Sequence, residues 1–248
     1  MNTLSPEQQG LADGLNVRFV LPRRALHGAN GERLGPSIGE SLEFQDYRDY
    51  TPGDDLRNLD WLVLARTDRE VIRVRQEEIA PVIEIFRDRS ASMNVPPAKN
   101  AVADYLFGLF TASAPACRVI ERDAPVTPRA VRILVSDLLT PEDPVLQLTR
   151  LAHRAAALFV VRVLSPEERS PAPGGAFECI DSETGEHREL IFNDSTLAAY
   201  HTAFAAHTAR WHSAARQHAA TFVELTSNAP FSEHISALAR ARMLEGRK

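Results

Sequence analysis

The sequence predicts an α/β protein: an open, mostly parallel β-sheet with helices on both faces, preceded by a small irregular appendage that contains β-strands. From residue 81 onward, compact apolar runs alternate with segments in which apolar residues recur every third or fourth position, as in buried strands and amphipathic helices. Before residue 81 the chain is rich in charge, glycine and turn signals. We therefore expect a flexible N-terminus (1–14), a β-containing region (15–80) and an α/β domain (81–248).

Each element of the α/β domain has its own signal. Four apolar runs predict the strands, at 82–86, 131–135, 158–164 and 221–225. Helical spacing predicts the helices, at 98–111, 144–156, 195–219 and 233–244. Short β-like segments in the appendage lie at 16–21 and 71–75. Parallel strands joined by right-handed crossovers place ligand sites outside the carboxyl ends of the strands.

A β-hairpin is predicted at the edge of the sheet. Two short apolar segments, 177–180 and 189–192, flank the polar, glycine-containing turn at 181–186. The segment 166–175 is rich in proline and glycine, which indicates that a loop leads into this hairpin.

Composition excludes several classes of protein. The 248 residues include 28 Lys and Arg against 33 Asp and Glu, a net charge of −5, so no global basic field attracts nucleic acid or anionic lipid. The longest apolar run, 155–161, is far shorter than the roughly 20 residues of a membrane span. The first 14 residues lack the pattern of a secretory signal. We expect a cytoplasmic protein that keeps Cys117 and Cys179 as free thiols.

The sharpest local signal follows the strand at 82–86. Asp88, Ser90 and Ser92 form a D-x-S-x-S sequence, which offers one carboxylate and two hydroxyls on a single loop. Hard oxygen ligands of this kind suit Mg²⁺, Ca²⁺ or Mn²⁺. The same residue types also favour turns, so the spacing alone leaves a metal site and a simple loop turn both open.

A second carboxylate is expected near this loop. Asp137 follows the strand at 131–135 in the position that Asp88 takes after its own strand. Because neighbouring parallel strands end at the same edge of a sheet, Asp88 and Asp137 are expected to converge.

A dense mixture of carboxylates, arginines and aromatic residues occupies 40–67. The carboxylates at 40–60 could form the centre of a metal-dependent hydrolase, but opposite charges at this density more often pair with one another, and we favour pairing. The chain has no nucleophile elbow, phosphate-binding loop or dinucleotide fingerprint, which argues against nucleotide binding.

Taken together, these motifs resemble domain-of-unknown-function family 58. The ordered motifs cover roughly residues 23–93, and the hairpin and the strand at 221–226 resemble later segments of that family. Besides D-x-S-x-S, the residues that carry the resemblance include Glu43, Arg48, Tyr50, Pro52, Gly53, Asp54, Asp55, Arg57, Asp60, Trp61, Arg66 and Thr67.

The resemblance implies a von Willebrand factor A-like, Rossmann-type domain whose D-x-S-x-S loop forms a metal-ion-dependent adhesion site. The implied ligands are Asp88, Ser90 and Ser92, with Asp137 as the outer carboxylate, around a divalent cation, first Mg²⁺ and alternatively Ca²⁺ or Mn²⁺. An open position on the cation would accept a carboxylate of a protein partner. The implied partner is a MoxR-type AAA+ ATPase with its client, in the assembly or activation of other complexes. The motif residues of 43–67 would be structural or contact the partner.

The chain departs from this family pattern between 112 and 130, where the domain looks shortened. One helix, 98–111, lies between Asp88 and Asp137, whereas related domains fit further strands and a second helix there. The missing piece would carry the threonine that completes the metal site, and only Thr111 and Thr127 remain as candidates. A metal-free scaffold is therefore an alternative, alongside the metal-dependent hydrolase.

Overall fold

The chain forms two compact units. The sheet unit comprises Met1–Ala25 and Pro81–Lys248, and the inserted unit comprises Leu26–Ala80. We predicted an N-terminal region at 15–80, but the strand after residue 16 belongs to the sheet unit. The computed structural model describes backbone alone at 42–47 and 73–77, and it describes in full residues 4–21, 48–54, 56, 59–72, 82–114, 116–120, 125–172 and 174–247.

In chain order, the described elements are α1 (Pro6–Gly14), β1 (Val17–Phe19), β2 (Leu42–Asp49), α2 (Trp61–Thr67), β3 (Val71–Glu77), β4 (Ile83–Arg87), α3 (Pro97–Ser113), β5 (Cys117–Ile120), β6 (Val131–Ser136), α4 (Pro144–Ala152), β7 (Ala157–Leu164), α5 (Pro166–Arg169), β8 (Ala176–Ile180), β9 (His187–Ile191), α6 (Asp194–Gln217), β10 (Thr221–Thr226), α7 (Phe231–Arg240) and β11 (Leu244–Gly246).

A five-stranded parallel sheet in the order β10-β7-β6-β4-β5 forms the centre of the sheet unit, which confirms the α/β class and fits a Rossmann-like fold. The four predicted strands of this sheet are present. The fifth, β5, lies within the segment that we expected to be shortened. The helix expected at 233–244 ends at Arg240, because Arg242 adopts a left-handed backbone conformation and β11 then pairs with β1.

Alternation along the strands gives the sheet two different faces. On one face, Ile85 and Ile133 pack in an apolar core with residues of α3, including Leu106 and Phe110. On the other face, the apolar side chains pack against Leu148 of α4 and Trp211 of α6, in a cluster that includes Phe86, Leu134 and Val160. This second face also carries buried charges, because Glu84, Arg132 and Arg162 project from neighbouring strands and none is exposed to solvent.

Helix α1 replaces the flexible N-terminus that we expected at 1–14. Ser5 begins it with a capping box in which Ser5 and Gln8 each accept a hydrogen bond from the other's backbone nitrogen. Glycines let the backbones of α1 and α3 approach closely. A Cβ at Gly108 would collide with the carbonyl oxygen of Glu7 and lie 2.7 Å from the backbone nitrogen of Leu11.

Gly108→Ala is expected to lower the free energy of unfolding by about 3 kcal/mol, since the new methyl group has no space between two backbones. This loss outweighs the gain of up to about 1 kcal/mol that alanine gives in a helix. Urea unfolding measures it. Gly246→Ala is the control, because no atom lies within 4 Å of a Cβ there. Equal unfolding midpoints for the two variants would contradict the close approach of α1 and α3.

Glu84 is the centre of a buried charge cluster near the amino end of β4. Its carboxylate pairs with Arg118 and accepts hydrogen bonds from Arg132 Nε (3.3 Å) and the backbone nitrogen of Thr127 (2.7 Å). Burial alone would raise the pKa of Glu84, but the hydrogen bonds from Arg118 and Thr127 hold it below its usual value. The ionised carboxylate therefore contributes to the stability of the fold.

Glu84→Gln is expected to cost about 3 kcal/mol of stability, because it leaves the buried Arg132 without its counter-charge. Since the pKa of Glu84 is lowered on folding, wild type should lose this contribution as the pH falls from the ordinary Glu pKa through the folded value. The variant should lack that part of the pH dependence. Glu245→Gln, which breaks the exposed pair with Arg18, should change stability by less than about 1 kcal/mol. Urea unfolding between pH 7 and pH 3 measures the free energy of unfolding of each protein. The same dependence on pH for wild type and Glu84→Gln would refute the stabilising role of the ionised Glu84.

In the inserted unit, β2 and β3 form an antiparallel pair, and α2 precedes β3. Asp60 begins α2 by accepting hydrogen bonds from the backbone nitrogens of Leu62 (3.0 Å) and Val63 (3.2 Å). The helix ends at Asp68, which adopts a left-handed conformation.

Across both units, no helix within the described ranges combines the length and apolar character needed to cross a membrane.

Candidate functional site

The D-x-S-x-S loop begins where β4 ends, at the carboxyl edge of the sheet. Arg87 lies opposite Val135 of β6, and the backbone nitrogen of Asp88 donates to the carbonyl oxygen of Val135 at 3.0 Å. This register brings Asp88 level with Ser136. One carboxylate oxygen of Asp88 accepts from the backbone nitrogen of Ser90 at 2.9 Å, and the other accepts from the Ser136 hydroxyl. The Asp88 side chain is therefore fixed from its own loop and from the neighbouring strand.

The two serine hydroxyls of the motif lie together. Oγ of Ser90 and Oγ of Ser92 are 3.0 Å apart, within a loop that continues into a 3₁₀ turn at Ala91–Asn94 with Met93 buried beneath it. In an octahedral Mg²⁺ site with bonds of about 2.0–2.1 Å, two neighbouring ligand oxygens lie about 3 Å apart. Each Asp88 oxygen also keeps lone-pair capacity beyond its hydrogen bond. The separation of the two hydroxyls therefore matches a hydrogen bond between them as well as the spacing of two neighbouring ligands in such a site.

Asp137, the predicted outer carboxylate, has a different set of contacts. It is buried, and its Oδ2 accepts from Nζ of Lys99 at 2.9 Å while its Oδ1 accepts from the backbone nitrogen of Leu139 at 3.0 Å. Lys99 is also buried and pairs with Glu168. The preceding residue, Ser136, is the one that contacts Asp88. The structure thus shows Asp137 in an ion pair beside the loop.

Lys99→Met tests the structural weight of this ion pair. It should lower the free energy of unfolding by about 3 kcal/mol, because Asp137 would remain charged and buried without its partner. Urea unfolding of Lys99→Met, Asp137→Asn and the double variant forms a double-mutant cycle. The double variant should lose less than the sum of the single losses. Strict additivity would show that the two side chains do not stabilise each other.

A third carboxylate reaches the loop from the hairpin. The predicted hairpin is present as β8 and β9, and at its tip Oε1 of Glu183 accepts from the backbone nitrogen of Ser92 at 2.8 Å. Asp181 shapes the turn by accepting from the backbone nitrogens of Thr184 (2.9 Å) and Glu183 (2.8 Å). These hydrogen bonds, first from Thr184, lower the pKa of Asp181. The left-handed conformation of Gly185 completes the turn.

Three residues of this site were not among our predicted ligands: Ser136, Lys99 and Glu183. Alignment of the two apolar runs from their starts matches Asp88 with Asp137, but the observed register pairs Ile83 with Val131 and so shifts the match by one residue, to Ser136. Lys99 lies three, four and seven residues before buried apolar positions of α3, so it shares their face of the helix. No local pattern relates Glu183 to a loop 91 residues earlier in the chain.

The family-motif residues lie in the inserted unit, where several charges pair as predicted. Arg48 donates to Asp54 at 2.7 Å, and Thr51 donates to the same carboxylate through its backbone nitrogen at 2.9 Å and its hydroxyl at 2.8 Å. The hydrogen bond from Arg48, followed by those from Thr51, holds the pKa of Asp54 well below its usual range. Pro52 and Gly53 form the intervening turn, in which Gly53 has a φ of +109°.

The other motif residues are distributed along this unit. Asp60 caps α2, Trp61 and Arg66 are exposed on that helix, and the Thr67 hydroxyl donates to the carbonyl oxygen of Val63 at 2.9 Å. Tyr50 is half-buried, and its backbone nitrogen donates a hydrogen bond to the carbonyl oxygen of Glu70 at 3.0 Å. Glu43 lies in the part of β2 that is described by backbone alone, whereas Asp55 and Arg57 lie outside the described residues.

Where the structure describes side chains, no group of three or more His, Cys, Asp or Glu residues is placed to hold a metal ion. A donor set built largely from serine hydroxyls is not a group of that kind. The metal-dependent hydrolase based on the carboxylates at 40–60 stays a hypothesis.

The fold and the loop together define a class: an α/β protein with a Rossmann-like parallel sheet and an aspartate–serine loop at its carboxyl edge. A family model described as "Protein of unknown function DUF58" matches residues 46–113, which supports the assignment to that family. The matched segment contains the Arg48–Asp54 turn, α2, the D-x-S-x-S loop and α3. Comparison with curated proteins and comparison with solved structures each returned no match.

Proposed function

We propose that this protein is a non-catalytic, cytoplasmic protein-interaction module of von Willebrand factor A-like type, in which the D-x-S-x-S loop holds a divalent cation, preferably Mg²⁺. The observation that carries this proposal is the pair of hydroxyls of Ser90 and Ser92, 3.0 Å apart, on the same loop as the Asp88 carboxylate. All three are hard oxygen donors at the carboxyl edge of a parallel sheet, where α/β proteins bind their ligands.

Each residue of the loop would have its own role in binding the cation. Asp88 would provide the negative charge, held in place by the hydroxyl of Ser136 and by the backbone of Ser90. Ser90 and Ser92 would provide neutral oxygens, which leave net positive charge on the bound ion. When bound, the cation would offer an open coordination position to a carboxylate of a partner protein. Asp137 would be an outer carboxylate that lies beside the loop and is held there by its ion pair with Lys99.

The partner that we propose is a MoxR-type AAA+ ATPase with its client, in the assembly or activation of other protein complexes. This part of the proposal rests on the family resemblance. The match to the DUF58 model supports the family, and a net charge of −5 argues against nucleic acid as the ligand.

A metal-free scaffold is the second candidate, and the hydrogen bonds of the loop favour it. Both carboxylate oxygens of Asp88 accept hydrogen bonds from the protein, and the positive charge beside Asp137 comes from Lys99. The loop therefore has an internally bonded arrangement that does not require a cation. In that case the loop would be a rigid surface for docking.

Thermal unfolding with added Mg²⁺, Mn²⁺ and Ca²⁺ separates the two candidates. A cation that binds only the native protein stabilises it by about 2.7 kcal/mol at a concentration of 100 Kd. Wild type should therefore show a rise in melting temperature that Asp88→Asn lacks. Asp194→Asn removes an equal charge from the exposed first turn of α6 and should respond like wild type. No rise in wild type at millimolar metal would reject the cation and favour the scaffold.

A further inference from the structure

We propose that Glu183 is a built-in occupant of the candidate site: its carboxylate takes the place of a partner's carboxylate and must leave before an acidic partner binds. This inference rests on the proposed function, because it assigns the acidic group that the D-x-S-x-S loop would otherwise take from a partner. It makes the β8–β9 hairpin an autoinhibitory element of the sheet unit.

The contact itself is the first support. Oε1 of Glu183 accepts from the backbone nitrogen of Ser92 at 2.8 Å, and the hydroxyl of the same Ser92 lies 3.0 Å from that of Ser90. The carboxylate of Glu183 is therefore bound to a residue of the donor set. It reaches this loop from 91 residues away in the chain, so the contact is a tertiary one and not a turn within the motif.

The construction of the hairpin tip is the second support. Asp181 fixes the backbone at Glu183 and Thr184, so that the tip presents Glu183 on a preformed turn. The next carboxylate, Glu186, is paired with Arg188 of the hairpin itself. Two neighbouring acidic residues of one turn thus have different targets, one within the hairpin and one on the D-x-S-x-S loop.

The exposure of the hairpin strands is the third support, because a displaceable element must be weakly held. Every side chain of β8 and β9 is exposed except Cys179, which is half-buried. Four large apolar side chains are among those exposed: Phe177, Ile180, Leu190 and Ile191. An element that buries so little apolar surface opens at a small free-energy cost compared with the core of the sheet.

A bound cation would strengthen the occupancy of the loop by Glu183. Glu183 and Asp88 bring two carboxylates to one short loop, and like charges repel unless a positive ion lies between them. A divalent cation held by Asp88, Ser90 and Ser92 would attract Glu183 in the same way as a partner's carboxylate. The closed hairpin and an acidic partner are therefore competitors for one position.

The test uses the full chain as wild type, Glu183→Ala and the control Glu186→Ala, which removes the same charge from the same exposed turn. Amide hydrogen exchange by NMR reports whether the backbone nitrogen of Ser92 is bonded. Exchange at Ser92 should be fastest in Glu183→Ala and equally slow in wild type and the control. The melting temperatures of all three should agree, since both substituted side chains are exposed.

A second measurement uses Mn²⁺ with acetate as the carboxylate probe. The relaxation of water protons by bound Mn²⁺ reports open coordination positions, and it should be higher in Glu183→Ala than in the other two proteins. Acetate should reverse that excess. If Glu183 is bound to the loop in about nine-tenths of wild-type molecules, acetate should bind about tenfold more tightly to Glu183→Ala. The reason is that the apparent affinity for acetate scales with the fraction of molecules in which the loop is free of Glu183.

The outcomes separate the two proposals. If Mn²⁺ binds but Glu183→Ala changes neither Ser92 exchange nor acetate affinity, the role of Glu183 is overturned while the metal site stands. If Mn²⁺ binds to none of the three proteins, both proposals fail. Faster exchange at Ser92 together with tighter acetate binding in Glu183→Ala, and not in the control, supports the built-in occupant.

Discussion

The parallel pairing of β4 with β6 is the constraint on which both ends of the sheet depend. At the amino end it sets Glu84 directly opposite Arg132, so that two fully buried charges neutralise each other. At the carboxyl end the same register brings Ser136 level with Asp88. A slip of one residue would turn every side chain of a strand to the other face, separating both pairs. The charge pair and the candidate site therefore specify one alignment of the strands.

Asp88 and Asp137 follow neighbouring strands, yet the fold gives them different environments. Asp88 stays partly accessible and accepts hydrogen bonds from a hydroxyl and a backbone nitrogen. Asp137 is buried, where an ionised carboxylate is stable only beside an opposite charge, and Lys99 provides it. Strand β6 extends one residue further, through Ser136, so Asp137 leaves the sheet one position later than Asp88 does. Similar sequence positions thus lead to a solvent-facing loop and to an interior ion pair.

The sequence was sufficient for the central sheet because four buried strands have apolar runs that few other structures produce. It was insufficient for β5, because two of its four side chains are exposed and Arg118 interrupts its apolar residues, so the strand lacks an apolar run. Helix α1 escaped prediction for another reason: its stability depends on a close approach at Gly10 and Gly108, which is a property of two segments together. The loop of the candidate site was predictable from its residue types. Its contact with Glu183 was not, because periodicity and spacing describe only neighbours along the chain.

The pairing of β1 with β11 bears on how the protein folds. Arg18 and Glu245, which face each other across this pair, are 227 residues apart in sequence. Such a contact closes a very long loop, and contacts of this kind slow folding because the entropy of closure must be lost first. During synthesis the whole inserted unit is made well before β11, the strand with which β1 pairs. We therefore expect the inserted unit to acquire structure first and the β1–β11 ladder to form among the last steps.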